Sequence, residues 1–377
     1  MRLEERRGGR GRIAESRPWR DTVHPPRRRG ADIPQEENPR MSMDAGATRG
    51  VAVPILKSLL SADGLAEVVA REYGLEDVRC HLVKAVTLDT YMIRSRSGSY
   101  ALRVYPAVRR TEAEVKGELE FLVRLDAAGI PVTTPVALPD GSRYLRFEAP
   151  EGTRLGVLFG FAPGQALNEK PLPENLRAYG ALLARVHQAA DAMPPIPTRP
   201  ALTVEALVDE PLDVLLRAFG ARSSAGSMGR YATSLIRPVI AALPMDAPVY
   251  GFCHGDPGTS NALVTSDGRL TLLDFDFCGP AWRAHDLAVA LNEVLPEHAK
   301  DFLEGYGSVR PLSDDEWESI PHFQAAHYLW VLAMRTRYLN EWGSFIFPDE
   351  RVIQTFTRIE MLVAKLKKPR PAAQPAA

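Results

Sequence analysis

The segment that most restricts how this chain can fold is 252–276, because a predicted hairpin turn folds it back on itself. Asp256 and Asn261 precede one short apolar run, and Asp274 follows a second. The dipeptide Asp-Gly at 267–268 separates the two runs, a pattern typical of a β-hairpin. The returning strand would therefore bring Asp274 beside Asn261 and Asp256 at one edge.

Three oxygen-bearing side chains at one edge suit phosphoryl transfer from a metal-bound nucleotide. In this reaction the protein mainly positions the reactants and neutralises charge. A carboxylate at Asp256 would hold an acceptor hydroxyl and take its proton, while Asn261 and Asp274 would offer oxygen ligands to Mg²⁺. A polar β-turn with a capping side chain explains each residue singly, but it does not explain the combination.

The triplet His-Gly-Asp at 254–256, with Asn261 and the run Asp-Phe-Asp at 274–276, resembles the signature of a known superfamily. This is the aminoglycoside phosphotransferase and choline kinase-like superfamily, which is related to the protein kinases. The resemblance extends over about 83–366. It implies an α+β, bilobal protein-kinase-like fold with a small β-rich N-lobe and a larger, mainly helical C-lobe. It also implies ATP and Mg²⁺ as cofactors.

The resemblance assigns a role to each residue of the signature. Asp256 would be the catalytic aspartate, and Asn261 with Asp274 would be the metal ligands. His254 would be a scaffold residue of the loop rather than a base. Asp286, which follows the metal-binding strand, would also be a scaffold residue that holds the catalytic loop by hydrogen bonds.

Five further residues are implied to bind the nucleotide. Arg103 stands where kinases place a phosphate-binding Lys, and its planar fork suits two phosphate oxygens; the alternative is a surface Arg on an edge strand. Glu118 would pair with Arg103, because an acid on the apolar side of a helix needs a partner. The Thr90 hydroxyl would assist backbone amides at a phosphate. Gly160 and Ala162, at a bend between lobes, would bind adenine through their backbone groups.

Hydrophobic periodicity predicts the main elements around these residues. Helices are expected over 112–127 and 175–190, and a strand is expected over 83–93. His187 falls at the end of the second helix, where we interpret it as a hydrogen-bonded structural histidine. The Gly/Ser-rich composition of 220–229 predicts a loop.

The first part of the chain differs in composition from the rest. Residues 1–40 contain eleven Arg, no Lys and seven acidic residues, a net charge of 11 − 7 = +4. So polar a segment cannot bury enough apolar surface to offset its ordering entropy, although translation beginning at Met41 or Met43 is an equal alternative. The predicted division is a disordered basic N-terminal arm at 1–48, an N-lobe at 49–159, a C-lobe at 160–368 and a loose tail at 369–377.

Composition limits the partners and the compartment. The net charge of −1 gives no reason to expect nucleic-acid binding, and no run approaches the roughly 20 apolar residues of a membrane helix. Cys80, Cys253 and Cys278 are widely spaced and form no disulfide or zinc pattern. We therefore expect a cytoplasmic protein, and its oligomeric state stays open.

The sequence predicts an ATP-dependent kinase that phosphorylates a hydroxyl of a small molecule of the aminoglycoside, homoserine or amino-alcohol type. A bacterial stress-response type of protein Ser/Thr kinase and a pseudokinase-like nucleotide-binding scaffold are the alternatives. Three cues to the acceptor disagree. They are an aromatic box for a quaternary amine (Trp282, Tyr328, Trp330, Trp342), a carboxylate site (Arg335, Arg337) and acids for a polyamine (Glu205, Asp209, Glu210, Asp213).

Overall fold

The computed structural model describes residues 53–169, 171–338 and 349–366. The predicted N-terminal arm at 1–48, the predicted tail at 369–377 and Trp342 lie outside these described residues.

A five-stranded antiparallel sheet forms the N-terminal region, with the strand order β1-β2-β3-β5-β4. Helix α1 contacts β1, and the apolar side of α2 is buried in the main core. The elements are α1 (Ala62–Tyr73), β1 (Arg79–Ala85), β2 (Asp89–Ser95), β3 (Gly98–Tyr105), α2 (Glu112–Ala127), β4 (Leu145–Ala149) and β5 (Gly152–Gly160). The predicted helix over 112–127 is confirmed.

The single strand predicted over 83–93 is wrong, because the chain turns at 86–88 between β1 and β2. The reason is Asp89, a fully buried carboxylate at the first position of β2. Its Oδ2 accepts a hydrogen bond from Arg154 Nη2 at 2.6 Å, and Lys57 Nζ lies 2.6 Å from its Oδ1. A buried carboxylate needs such partners, so these contacts fix the start of the strand.

The C-terminal region is mainly helical, and it carries two small sheets. The helices are α3 (Pro173–Asp191), α4 (Glu210–Phe219) with a preceding π-helical turn (Glu205–Asp209), α5 (Ser224–Ala242), α6 (Arg283–Glu293), α7 (Ala299–Val309), α8 (Asp314–Arg337) and α9 (Asp349–Leu366). Short 3₁₀ turns cover Leu167–Glu169, Thr259–Asn261 and Pro296–His298. The strands are β6 (Gln165–Ala166), β8 (Ala262–Val264) and β9 (Leu270–Leu272) in one sheet, and β7 (Tyr250–Cys253) with β10 (Gly279–Trp282) in the other. The predicted α+β architecture is confirmed.

The loop predicted over 220–229 is also wrong, because α5 begins inside it. The Ser223 hydroxyl caps the helix by accepting the Gly226 amide at 2.9 Å. A Cβ at Gly226 would overlap the carbonyl oxygen of Gly220. The small residues here therefore allow close approach of the backbone rather than flexibility.

Among the described helices, none combines the length and the apolar character that a bilayer span requires. The three cysteines are free thiols, and Cys253 and Cys278 are buried.

Helices α3 and α7 pack against each other at unusually short range. Gly180 of α3 faces the α7 backbone, and a Cβ there would overlap the carbonyl oxygen of Phe302. This packing brings His187 of α3 next to Tyr306 of α7. The contact therefore supports side chains that reach the functional site.

We expect Gly180→Ala to lower the free energy of unfolding by about 1–3 kcal/mol, because the added methyl group meets backbone atoms that cannot move aside. Urea unfolding of the purified protein measures the change. Gly307→Ala on α7 is the matched control, since a Cβ there meets open space. The control should be neutral or more stable by about 0.5–1 kcal/mol. Equal stability of the two variants would contradict the close packing at Gly180.

Candidate active site

A buried carboxylate positions the loop between β7 and β8. Asp286, near the start of α6, accepts the backbone amides of His254 at 2.8 Å and Gly255 at 2.9 Å. Burial alone would raise the pKa of Asp286, but the hydrogen bond with His187 and the nearby ring of His285 hold it well below its usual range. The loop is thus tied to α6 through a charged acceptor, which forms strong hydrogen bonds.

His254 lies inside this loop rather than at its surface. Its Nε2 donates to the Leu273 carbonyl at 2.9 Å, and its ring stacks on Phe275 with the centroids 4.0 Å apart. Burial lowers its pKa, which favours the neutral ring. Gly255 follows with φ +85°, and a Cβ there would overlap the Phe277 carbonyl oxygen. Both residues therefore shape the loop.

The predicted hairpin is confirmed, with Ala262 paired to Leu272 across β8 and β9. It begins at Asn261, whose Nδ2 donates to the Asp256 carbonyl at 2.9 Å and lies 3.4 Å from the Asp256 carboxylate. Asp256, Asn261 and Asp274 line one cavity of about 480 Å³. The structure thus brings together the three side chains that the sequence placed at one edge.

This cavity is lined by four acids and three cationic residues: Asp256, Asp274, Asp276, Glu293, Lys84, Arg335 and Arg358. Burial, followed by the charges of Asp274 and Glu293, raises the pKa of Asp256 to about 7. Asp274 adopts φ +61°, a left-handed conformation that costs free energy for a residue with a Cβ. Its Oδ1 lies 3.2 Å from Arg103 Nη1. Cations bound between these carboxylates would offset their mutual repulsion.

Arg103 and Glu118 do not form the direct pair expected from the sequence. The Arg103 guanidinium contacts Asp274, and it also lies over the Phe159 ring at 5.2 Å. Glu118 instead accepts the Tyr105 hydroxyl at 2.9 Å. Burial, with the nearby charge of Asp276, raises the pKa of Glu118 to about 7. Because Glu118 is readily protonated, burying it without a cationic partner costs less free energy than burying an ionised carboxylate would.

The other residues predicted to bind the nucleotide lie on the N-terminal sheet and at its end. Thr90 of β2 pairs with Arg103 of β3. Gly160 ends β5, and its amide donates to the Thr134 carbonyl at 3.2 Å, so its remaining backbone group for a ligand is the carbonyl. Ala162 follows two positions later and is partly exposed.

The same cavity has lining residues to which the sequence assigned no binding role, and two of them lie on the N-terminal sheet and its turn. Lys84, an exposed residue of β1, and Thr87, in the turn at 86–88, line it from the N-terminal side. Lys84 is a cation at the end of a strand that faces the acids of the hairpin. In the sequence, the only feature that pointed to Lys84 was its position just before a turn, and that turn contains no glycine.

A second missed group holds the end of the hairpin motif. Asp276 is almost fully buried, and it accepts Arg110 Nε at 2.8 Å while Arg109 Nη2 lies 3.9 Å away. Its carbonyl oxygen accepts the guanidinium of Arg199. Burial acts to raise the pKa of Asp276, but Arg110 and then Arg109 lower it overall. Three arginines therefore meet at one residue.

A hydrogen-bonded chain behind Asp286 connects it to the helix pair α3–α7. The His187 Nε2 lies 3.0 Å from Asp286, and its Nδ1 lies 2.8 Å from the Tyr306 hydroxyl. Because the carboxylate can only accept, Nε2 carries the proton and Nδ1 accepts from Tyr306. Arg310 Nη1 in turn donates to the Tyr306 oxygen at 3.2 Å. His187 is thus a structural histidine, as expected.

The structure separates the cues to the acceptor. Trp282 is fully buried, and its indole donates to the Pro244 carbonyl at 3.0 Å, so it is a core residue. Asp209 accepts Arg237 Nε at 3.0 Å, which already neutralises that acid. Trp330 and Arg335 do line the cavity with Asp256.

The side chains at the hairpin fit a magnesium ion. The Nδ2 atom of Asn261 is used in hydrogen bonds to Asp256, so Oδ1 is the atom left for a cation. Asp274 adds a carboxylate on the same cavity. Oxygen donors of this kind suit Mg²⁺, which retains several waters and binds through one or two carboxylates.

Comparison with known proteins agrees with this geometry. The sequence profile of the phosphotransferase enzyme family matches residues 83–320, more than half of the chain. The chain belongs to the phosphotransferase enzyme family. The resemblance recognised in the 254–276 motif and the prediction of a small-molecule kinase are confirmed.

Relatives within the family differ in how well they are described. An uncharacterised protein of Deinococcus radiodurans is 34% identical over 301 residues, which cover 77% of this chain and 86% of the relative. One from Synechocystis is 31% identical, covering 77% and 82%. A homoserine kinase of Acidiphilium cryptum is 29% identical, covering 64% and 74%.

Solved structures with the same fold include small-molecule kinases. A microcompartment-associated aminopropanol kinase superimposes with a TM-score of 0.68 at 21% identity, covering 81% of this chain and 96% of that one. Amicoumacin kinase, in complex with AMP-PNP, Ca²⁺ and Ami, gives a TM-score of 0.68 at 20% identity, covering 81% of this chain and 94% of that one. At these identities the likeness establishes the fold.

The buried His187 makes stability depend on pH. Burial lowers its pKa to about 4 from an ordinary value of 6.5. The unfolded chain therefore binds a proton at this side chain at a higher pH than the folded chain does, so the contribution of His187 to stability falls as the pH drops from 6.5 towards 4. The decline is on the order of 3 kcal/mol.

His187→Gln keeps a donor for Asp286 but removes the titration. We expect the difference in unfolding free energy between wild type and this variant to shrink between about pH 7 and about pH 4.5. Subtracting the variant's unfolding free energy from that of wild type removes the contributions of Asp256 and Glu118. Their raised pKa values change stability with pH in the opposite direction to His187. His81→Gln, at an exposed position of β1, is the control. Parallel profiles for His187→Gln and wild type would show that folded His187 is not kept neutral.

Proposed function

We propose that the protein transfers the γ-phosphoryl group of ATP, bound with Mg²⁺, to a hydroxyl group of a small molecule, with Asp256 as the base. The observation that carries this proposal is the shared cavity of Asp256, Asn261 and Asp274. We also propose a cytoplasmic location, because the chain has three free cysteines.

The reaction needs little covalent chemistry from these residues. Asp256 holds the acceptor hydroxyl and takes its proton as the oxygen forms a bond to the γ-phosphorus. The bond from that phosphorus to the bridging oxygen breaks, and ADP leaves with the electron pair. Asn261 keeps Asp256 in place through its amide, so the base is positioned before the acceptor binds.

Asn261 and Asp274 would hold the metal, which supplies positive charge against the phosphate oxygens. Arg103 would contact the phosphates with the donors that Asp274 does not use, and Lys84 would add a second cation from β1. Thr90 would support this end of the sheet. The Gly160 carbonyl and the Ala162 amide would bind the adenine edge, because the Gly160 amide already bonds to Thr134.

One ion pair and the named relatives indicate the class of acceptor. Of the acids considered for a polyamine, Asp209 is neutralised by Arg237. The relatives named homoserine kinase and the fold neighbour named aminopropanol kinase act on short amino-bearing alcohols. We therefore favour a short amino alcohol or hydroxy amino acid over an aminoglycoside.

We expect Asp256→Asn to lower kcat for ADP formation by about 10²–10⁴, because the amide cannot take the proton. Nucleotide affinity should stay within a few-fold of wild type. A coupled ADP assay with a panel of amino alcohols and hydroxy amino acids measures the first quantity, and calorimetry with an ATP analogue measures the second.

Asp267→Asn is the matched control, since this acid lies exposed at the turn of the same hairpin. It should retain wild-type turnover. Retention of wild-type turnover by Asp256→Asn would remove the assigned base. Nucleotide binding without transfer to any hydroxyl compound would instead favour a nucleotide-binding scaffold.

A further inference from the structure

A second cavity adjoins the one that holds Asp256. It has a volume of about 160 Å³, and it shares Phe277, Trp330 and Met334 with the larger cavity. Its other walls come from α4 and α8 and from Arg109 and Arg110. Lys84 and Thr87, which mark the nucleotide side, line only the larger cavity. The small cavity is therefore lined by neither of the residues on the proposed nucleotide side.

The small cavity is rich in guanidinium groups. Arg109, Arg110 and Arg337 line it together with Glu210. Arg109 and Arg110 also lie near the Asp276 carboxylate, and Arg110 Nη1 lies 3.6 Å from Glu114. The Arg109 and Arg110 side chains are only 6% and 12% exposed. Desolvated guanidinium groups bind carboxylate or phosphate more strongly than exposed ones do. Because a guanidinium has five N–H donors, Arg110 keeps donors beyond those used by Asp276 and Glu114. Arg337 is exposed at the same cavity, and such donors suit an anionic group.

The two inner arginines are held rigidly. Asp276 accepts Arg110 Nε at 2.8 Å, and the Asp276 carbonyl accepts Arg110 Nη2 at 2.6 Å. Both guanidinium groups also lie over the Phe277 ring, at 5.7 Å for Arg109 and 5.3 Å for Arg110. A preorganised pair of cations loses little side-chain entropy when an anion binds.

The position of this cavity is fixed relative to the proposed base. Asp276 follows Asp274 by two residues, and Phe275 between them is buried against the ring of His254. The same short segment therefore lines the reacting cavity with Asp274 and anchors the arginines with Asp276. Phe277 lines both cavities, so the space beside Asp256 adjoins the space beside the arginines.

We propose that the acceptor is a short hydroxy amino acid whose carboxylate binds in the small cavity to Arg337 and the inner arginines, Arg109 and Arg110. This inference rests on the proposed kinase function and specifies its substrate class. The volume of about 160 Å³ corresponds to about five water molecules at ~30 Å³ each. That space accepts a carboxylate with a few carbon atoms.

Matched pairs of compounds that differ only by the carboxylate test this proposal. They are homoserine with propanolamine, serine with ethanolamine, and threonine with isopropanolamine. Calorimetry of each compound, with the protein bound to Mg²⁺ and a non-hydrolysable ATP analogue, measures affinity without requiring transfer. At least one amino acid should bind about 10- to 100-fold more tightly than its amine, as hydrogen bonds to a charged group predict.

Arg337→Gln removes the exposed guanidinium without disturbing the pair held by Asp276. It should reduce the preference for the carboxylate by about tenfold and leave the affinity of the amines unchanged. Arg177→Gln is the control, because Arg177 is an exposed arginine on α3 that pairs with Asp301 and Glu304. This control removes the same charge and should keep the full preference.

Three results would overturn the proposal. The first is that every amino acid binds no more tightly than its amine. The second is that Arg337→Gln keeps the full preference for the carboxylate. The third is that inorganic phosphate competes more strongly than the amino acids, which would assign the cavity to phosphate. The proposed kinase mechanism has its own test: unimpaired phosphoryl transfer by Asp256→Asn would contradict it. Tight binding of amines with Asp256-dependent transfer would overturn only the carboxylate assignment.

Discussion

The hydrogen bonds to one buried carboxylate, that of Asp286, determine where the loop that carries Asp256 lies. A carboxylate in this position would be strongly destabilising without partners, and two consecutive backbone amides and His187 supply them. Because the amides belong to His254 and Gly255, the direction of the chain is fixed just before Asp256. His187 reaches Asp286 from α3, whose close packing on α7 depends on Gly180. The helix pair behind the site thus contributes to its geometry.

The segment after β9 divides its side chains between two tasks. Asp274 lines the large cavity and contacts Arg103, while Asp276, two residues on, holds Arg110. Phe275 stacks on His254, and Phe277 lies between the two cavities. One short segment therefore builds both the side that carries Asp274 and the side that carries the arginines. A shift of this segment would move both sides together.

The sequence predicted the parts of the site whose contacts are local. Asn261 and Asp274 meet through a hairpin with a recognisable Asp-Gly turn, so their proximity could be anticipated. The contact between Arg110 and Asp276 spans 166 residues, and only the tertiary fold creates it. Lys84 was missed because the turn after β1 carries no glycine. The start of α5 was missed because glycine composition indicates a loop, although helix packing requires the same residue type.

The contacts around position 103 explain why an arginine, and not the lysine usual in kinases, suits this position. Its Nη1 lies near Asp274, and its guanidinium lies over Phe159. A guanidinium has five N–H donors in a fixed fork, so one edge can stay on Asp274 while others face a phosphate. A lysine there would carry the same charge but fewer directed donors. Glu118 is then free to bond to Tyr105, since Asp274 supplies the carboxylate that Arg103 needs.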